Sequence, residues 1–136
     1  MAAISHKLHN YCVACGSANP VVLSLKFVRH ADGSVRAAAF CLKEISGYDG
    51  LLHGGMAALM LDSAMTNCLF SAGITALTAE LNIKYKAPVK IGRAVDLKAW
   101  IEKDCSPLYL LKSELCQDGE VKVLAEAKFM KSEAGL

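Results

Sequence analysis

One stretch of the chain limits its fold more than any other. Residues 54–72 (GGMAALMLDSAMTNCLFSA) are rich in Ala, Leu and Met and contain no proline. That composition favours a helix, and Gly73 stands where a C-terminal cap is wanted. The predicted helix is apolar almost all round; its exceptions, Asp62, Ser63, Thr66 and Asn67, are linked by i,i+4 steps into one narrow stripe. Such a helix has to be buried, and the rest of the chain must supply its cover.

The remaining segments read as strands. Residues 22–29 alternate, with Leu23, Leu25 and Phe27 on one side, and Asp32-Gly33 then signals a hairpin into a strand over 34–41. Residues 78–86 alternate strictly, setting Ala79, Leu81, Ile83 and Tyr85 against polar neighbours. Pro88 and Gly92 break the chain before a strand over 94–102, and Asp118-Gly119 joins two more, 107–116 and 121–130. The order β-β-α-β-β-β-β predicts an α+β fold in which an antiparallel sheet wraps one central helix.

The 136 residues fit a single domain spanning 1–136. A net charge of +2 with scattered lysines excludes a nucleic-acid binder. The opening MAAISHKLHNYC has no secretory pattern, and the longest strongly apolar run, residues 56–61, is far too short to span a bilayer. A soluble, cytoplasmic protein with no membrane partner is expected. Its six cysteines then read as reduced thiols. Cys12 and Cys15, with His6 or His9 nearby, are half of a zinc pattern, but no second such pair follows. They read as a packing turn ahead of Asn19-Pro20, and no metal or other cofactor is expected.

Two features carry chemistry. Glycine costs about 1 kcal/mol relative to alanine inside a helix, yet His53-Gly54-Gly55 opens this one. Free N–H groups of a first turn, at the positive end of the helix dipole, can receive a ligand oxygen that comes close over glycine. At a carbonyl under attack they would hold the oxyanion. The alternative is a glycine-rich loop that simply bends into a helix. The second feature is Asp62, a carboxylate in the middle of an apolar helix. Either it is paired, with Thr66, Thr78 or a backbone amide, or it serves as general base or nucleophile. Eight residues separate Gly54 from Asp62, roughly 12 Å along a helix. One carbonyl cannot touch both groups of a single helix. If both act, two antiparallel helices about a two-fold axis must supply one each, which predicts a dimer with two equivalent sites.

The run GLLHGGMAALMLDSAM followed by GITALTAELNIKYKAPVKIGR resembles the hotdog-fold thioesterases of the phenylacetate-pathway (PaaI-like) type, and CVACGSANPVVLSLKF resembles the opening of one bacterial branch of them. The resemblance covers residues 12–131 and is most specific in the HGG turn, the Asp nine residues after its His, and the strand TAELNIKY ahead of Pro88. It implies five or six curved strands around one long helix, and a homodimer joined edge to edge, or a tetramer of two such dimers. It further implies hydrolysis of an acyl-CoA to acid and CoA. Gly54 would then supply the oxyanion N–H and Asp62 of the opposite subunit the base or nucleophile. His53 would orient the loop or contact the acyl carbonyl, and Thr78 would help hold the attacking water. Relatives carry Asn or Gln ahead of the HGG turn, whereas this chain has Ser46 and Asp49, which with Gly55 are candidate substrate contacts. Lys84, Lys86, Lys90 and Arg93 either meet the CoA phosphates or form a solvated strand face. The missing amide leaves a non-catalytic acyl-CoA or lipid-binding hotdog module as the other reading.

Overall fold

The computed structural model describes residues 2–20 and 23–132. Its elements run β1 (Val28–Arg29), β2 (Val35–Phe40), α1 (Gly54–Ser71), β3 (Ala76–Tyr85), β4 (Ala94–Cys105), β5 (Leu108–Gln117) and β6 (Glu120–Lys131), with 3-10 turns at Lys7–His9 and Lys43–Ile45. The six strands form one antiparallel sheet in the order β1-β2-β4-β5-β6-β3, wrapped around α1 as in a hotdog.

The sheet covers the helix through period-2 side chains. Val95, Leu97 and Ala99 of β4, Leu111 and Leu115 of β5, and Val123, Ala125 and Phe129 of β6 are all buried. They meet Met60, Leu61, Ala64, Met65, Cys68 and Leu69 of α1 in one core. Burial pushes the Cys68 thiol up to about 11, so it packs as a small hydrophobe. The helix ends as its sequence requires. Gly73 takes φ +76, the Gly73 and Ile74 N–H groups return to Phe70 and Leu69 O, and the Arg29 guanidinium donates to Ser71 O at the negative end of the dipole. Asp118 and Gly119 both have positive φ, as a two-residue I′ hairpin demands.

One expectation needs correction. The first strand, expected over 22–29, pairs with the sheet only at Val28–Arg29; Val22 lies outside the described residues. Leu25 and Phe27 are buried and Ser24 and Lys26 exposed, as the alternation required. However, the Leu23 and Leu25 N–H groups bond Val13 and Ala14 O, and Phe27 O receives the Ile4 N–H. Ser24 turns the chain with φ +53. Alternation reports a buried face; the segment that satisfies the backbone is a separate matter, here the N-terminal strap.

The strand expected over 78–86 is present as β3. Its apolar face is uncovered, because β3 is the sheet's edge and almost wholly exposed. Leu77 is 52% and Tyr85 55% accessible. A register shift between Thr78 and Glu80 leaves Ala79 bulged out of the ladder with β6.

Candidate active site

The loop before α1 is held from three sides. Leu52 N–H donates to Val89 O and Ile91 N–H to Gly50 O, so the 88–92 segment backs the 50–52 segment. Gln117, 2% accessible, locks that backing, with Oε1 accepting from Lys90 N–H at 2.7 Å and Nε2 donating to Lys90 O at 2.9 Å. His53 N–H donates to Ile45 O, fixing the turn from the other side. Gln117→Met would remove the side-chain partner of both Lys90 backbone groups and is expected to cost about 1–3 kcal/mol in urea unfolding.

The helix start is capped by its own histidine. His53 is extended (φ −61, ψ 132) and its Nδ1 accepts the Gly55 N–H at 2.9 Å. A Cβ on Gly55 would lie 3.1 Å from the His53 ring, so glycine lets the imidazole fold back this far. The Met56 and Ala57 N–H groups both go to His53 O. The Gly54 N–H, at the first helical position, has no partner among the described residues. Tyr85 closes the far side, its hydroxyl donating to Gly54 O at 2.7 Å. Beside this turn lies a cavity of about 300 Å³ bordered by Leu52, Gly54, Ala57, Tyr85, Lys86 and Val89.

Asp62 lies two turns further along α1 and does not line that cavity. It is half-buried, and Oδ1 accepts the Thr78 hydroxyl at 2.8 Å. Burial raises its pKa above the ordinary carboxylate value, while the Thr78 hydrogen bond and the nearby His9 ring pull the other way. A carboxylate with raised basicity and an unoccupied oxygen suits proton abstraction from water or direct attack. The rest of the polar stripe behaves differently. Ser63 and Asn67 are buried, and Asn67 Nδ2 donates to Ser63 O and toward Cys15 Sγ, facing the N-terminal strap.

The remaining sequence candidates disperse. Ser46 Oγ donates to Lys43 O on the loop ahead of the turn, and Asp49 is exposed nearby. Lys86 borders the Gly54 cavity. The Lys90 backbone is clamped by Gln117, with its residue exposed. Arg93 pairs with Asp118 at 2.7 Å. Lys84 borders a different cavity, shared with Trp100, Lys112 and Glu114. The structure thus brings together Asp62 with Thr78, and His53, Gly54 and Gly55 with Lys86. Sequence reasoning did not single out Tyr85 or Gln117; neither belongs to a local motif, and only the contact with a distant backbone group distinguishes them.

The thioesterase superfamily family model matches residues 49–103, the span from the pre-helix loop through most of β4. Acyl-coenzyme A thioesterase 13 of Mus musculus is 31% identical over 84 residues, 60% of this chain and 60% of that protein. A thioesterase superfamily protein of known crystal structure superposes with a TM-score of 0.85 at 24% identity, covering 89% of this chain and 60% of the other. The E. coli PaaI protein from the phenylacetic acid degradation operon superposes at 0.75 with 16% identity, covering 81% and 80%. The chain therefore spans about 60% of the length of the first two.

Proposed function

We infer that this chain, a thioesterase-superfamily protein on a hotdog fold, hydrolyses acyl-CoA thioesters to free acid and CoA at a site shared by two copies of itself. The observation that carries the reading is a separation. The unpartnered Gly54 N–H and the raised carboxylate of Asp62 are the two groups such a reaction needs, and one rigid helix holds them roughly 12 Å apart. A second copy supplies the missing half. The exposed β3 edge, with Leu77, Leu81 and Tyr85 uncovered, pairs with its own symmetry mate, a self-complementary arrangement that a two-fold axis permits. Homodimers of this kind, or two of them stacked as a tetramer, carry two equivalent sites.

In each site the thioester oxygen lies on the Gly54 N–H, at the positive end of α1. His53 keeps the turn in shape by holding the Gly55 N–H. Asp62 of the other subunit, steadied by its Thr78, either takes a proton from water or attacks the carbonyl carbon. Water attack gives a tetrahedral intermediate that expels CoA thiolate, which then takes up the proton; direct attack breaks the same C–S bond, releasing CoA thiolate and leaving an anhydride that water opens to free acid and Asp62. Lys86 at the cavity rim and exposed Lys90 would meet the phosphates, with Ser46 and Asp49 of the loop ahead of the turn as further substrate contacts.

The mouse relative is an acyl-coenzyme A thioesterase, and the geometry favours the same chemistry here. Steady-state release of CoA from a panel of aryl- and fatty-acyl-CoAs tests it. Turnover of at least one member is expected. Tight binding with no turnover across the panel would favour a non-catalytic acyl-CoA or lipid-binding module, to which the loop of Ser46 and Asp49, lacking an amide side chain, lends its weight. The reaction needs ionised Asp62, so kcat/KM should fall on acidification with a midpoint above the ordinary aspartate value of about 3.9. An acid limb at or below that value contradicts the role given to Asp62.

A further inference from the structure

The proposed hydrolysis assigns no step to the side chains of the first twenty residues, of which the His9 ring alone was placed near Asp62. Cys12 and Cys15 form the one C-x-x-C pair in the sequence, and folding brings a third donor to them. His9 Nδ1 or Nε2, Cys12 Sγ and Cys15 Sγ all lie within 4.8 Å of one another. His9 Nδ1 stands 3.7 Å from Cys15 Sγ. Two ligands on one tetrahedral zinc, at about 2.0 Å for nitrogen and 2.3 Å for sulfur, are about 3.6 Å apart.

The loop is built to hold this spacing. Cys12 N–H donates to His9 O, Gly16 N–H to Cys12 O and Ala18 N–H to Asn10 O. Gly16 sits where the chain folds onto itself. A Cβ there would lie 2.3 Å from Cys12 N, 2.6 Å from Asn10 O and 2.7 Å from His9 O, all backbone atoms, so only glycine allows the closure. Both sulfurs receive donors, Ala14 N–H to Cys12 Sγ at 3.4 Å and Asn67 Nδ2 to Cys15 Sγ at 3.6 Å. Such outer contacts stabilise thiolate ligands. The His9 ring is set edge-on against Phe70 at 4.8 Å. A small cavity of about 30 Å³ opens beside His9 and Cys15, enough for one water.

We propose that His9, Cys12 and Cys15 bind one divalent, thiolate-preferring transition-metal ion of the zinc class per chain, with water in the fourth position. Thiolate and imidazole donors exclude magnesium and calcium in favour of such an ion. Each ion taken up displaces two thiol protons. The ion clasps the N-terminal strap onto α1 through Asn67, on the helix that carries Asp62. The proposal stands whether or not the chain is a hydrolase.

Cobalt(II) titration of the full, reduced, metal-stripped protein tests this directly. One equivalent should bind, with thiolate-to-cobalt charge-transfer absorption and the strong visible bands of a tetrahedral site, and zinc should displace it. Cys12→Ser and His9→Ala should lose these bands. Cys105→Ser, at an exposed thiol remote in sequence, should keep them. Asn67→Ala should weaken cobalt binding by about 10–100-fold. If Cys12→Ser fails to fold, the wild-type titration decides alone. Absence of the tetrahedral spectrum in reduced wild-type protein overturns the proposal, as does its full retention in both Cys12→Ser and His9→Ala. A Cys12–Cys15 disulfide in protein isolated with its thiols trapped overturns it too.

Discussion

Asp62→Asn is expected to lower kcat for acyl-CoA hydrolysis by about 10²–10⁴-fold, the span associated with losing a positioned general base, while the melting temperature holds or rises. The two halves of this expectation have one cause. The Asp62 carboxyl is half-buried on an otherwise apolar helix, and burial raises its pKa. A carboxyl whose folded pKa lies above its unfolded value binds its proton more tightly when folded. Acidification therefore favours the native state through this group. Its ionisation costs stability as pH rises through the unfolded and then the folded value, and that cost is complete at neutral pH. Asparagine removes the charge and keeps an oxygen for the Thr78 hydroxyl, which now bonds Oδ1 at 2.8 Å. Side-by-side thermal melts and steady-state kinetics at neutral pH check both halves. A variant that loses activity by unfolding would show Asp62 as a structural partner of Thr78 and nothing more.

Gly54→Pro should reduce kcat by about 10²–10³-fold, the usual loss for one oxyanion-hole donor, and should leave the fold intact. Gly54 is the first helical residue, the position where proline is most at home because its N–H is not needed by the helix. The preceding His53, at φ −61 and ψ 132, already has the extended conformation that a following proline demands. A Cβ on Gly54 would meet the Tyr85 ring at 3.4–3.5 Å, ordinary contact. The substitution thus deletes one hydrogen atom of interest with little else disturbed. A gain of about 0.4–1 kcal/mol from the stiffer unfolded chain is expected. Retained turnover in a stable Gly54→Pro protein would move the oxyanion hole elsewhere.

The architecture was legible wherever one chain's burial determined the pattern. Residues 54–72 could only be a covered helix, and the alternation of β4, β5 and β6 reports the face that covers it. It was misleading at β3, where Leu81 and Tyr85 obey the same period but stand exposed at an edge; periodicity records that a face is apolar and is silent about whether its cover lies in the same chain. It was incomplete at 22–29, where the hydrogen-bond partners come from residues 4, 13 and 14. The site divides in the same way. His53, Gly54 and Asp62 announce themselves because each is costly or odd in a helix. Gln117 and Tyr85 depend on contacts between segments far apart in the sequence, and no residue type advertises them.

Pairing the two inactive variants tests the shared site most directly. Differently tagged Asp62→Asn and Gly54→Pro chains, co-refolded in equal amounts, should form mixed dimers in half of all pairings. Each mixed dimer then holds one site with an intact Asp62 from one chain and an intact Gly54 from the other, and one site with both defects. Activity should return to about a quarter of the wild-type level. Were Asp62 and Gly54 of the same chain to serve one carbonyl, every site in the mixture would carry a defect. Isolated mixed dimers no more active than their parents would contradict the account.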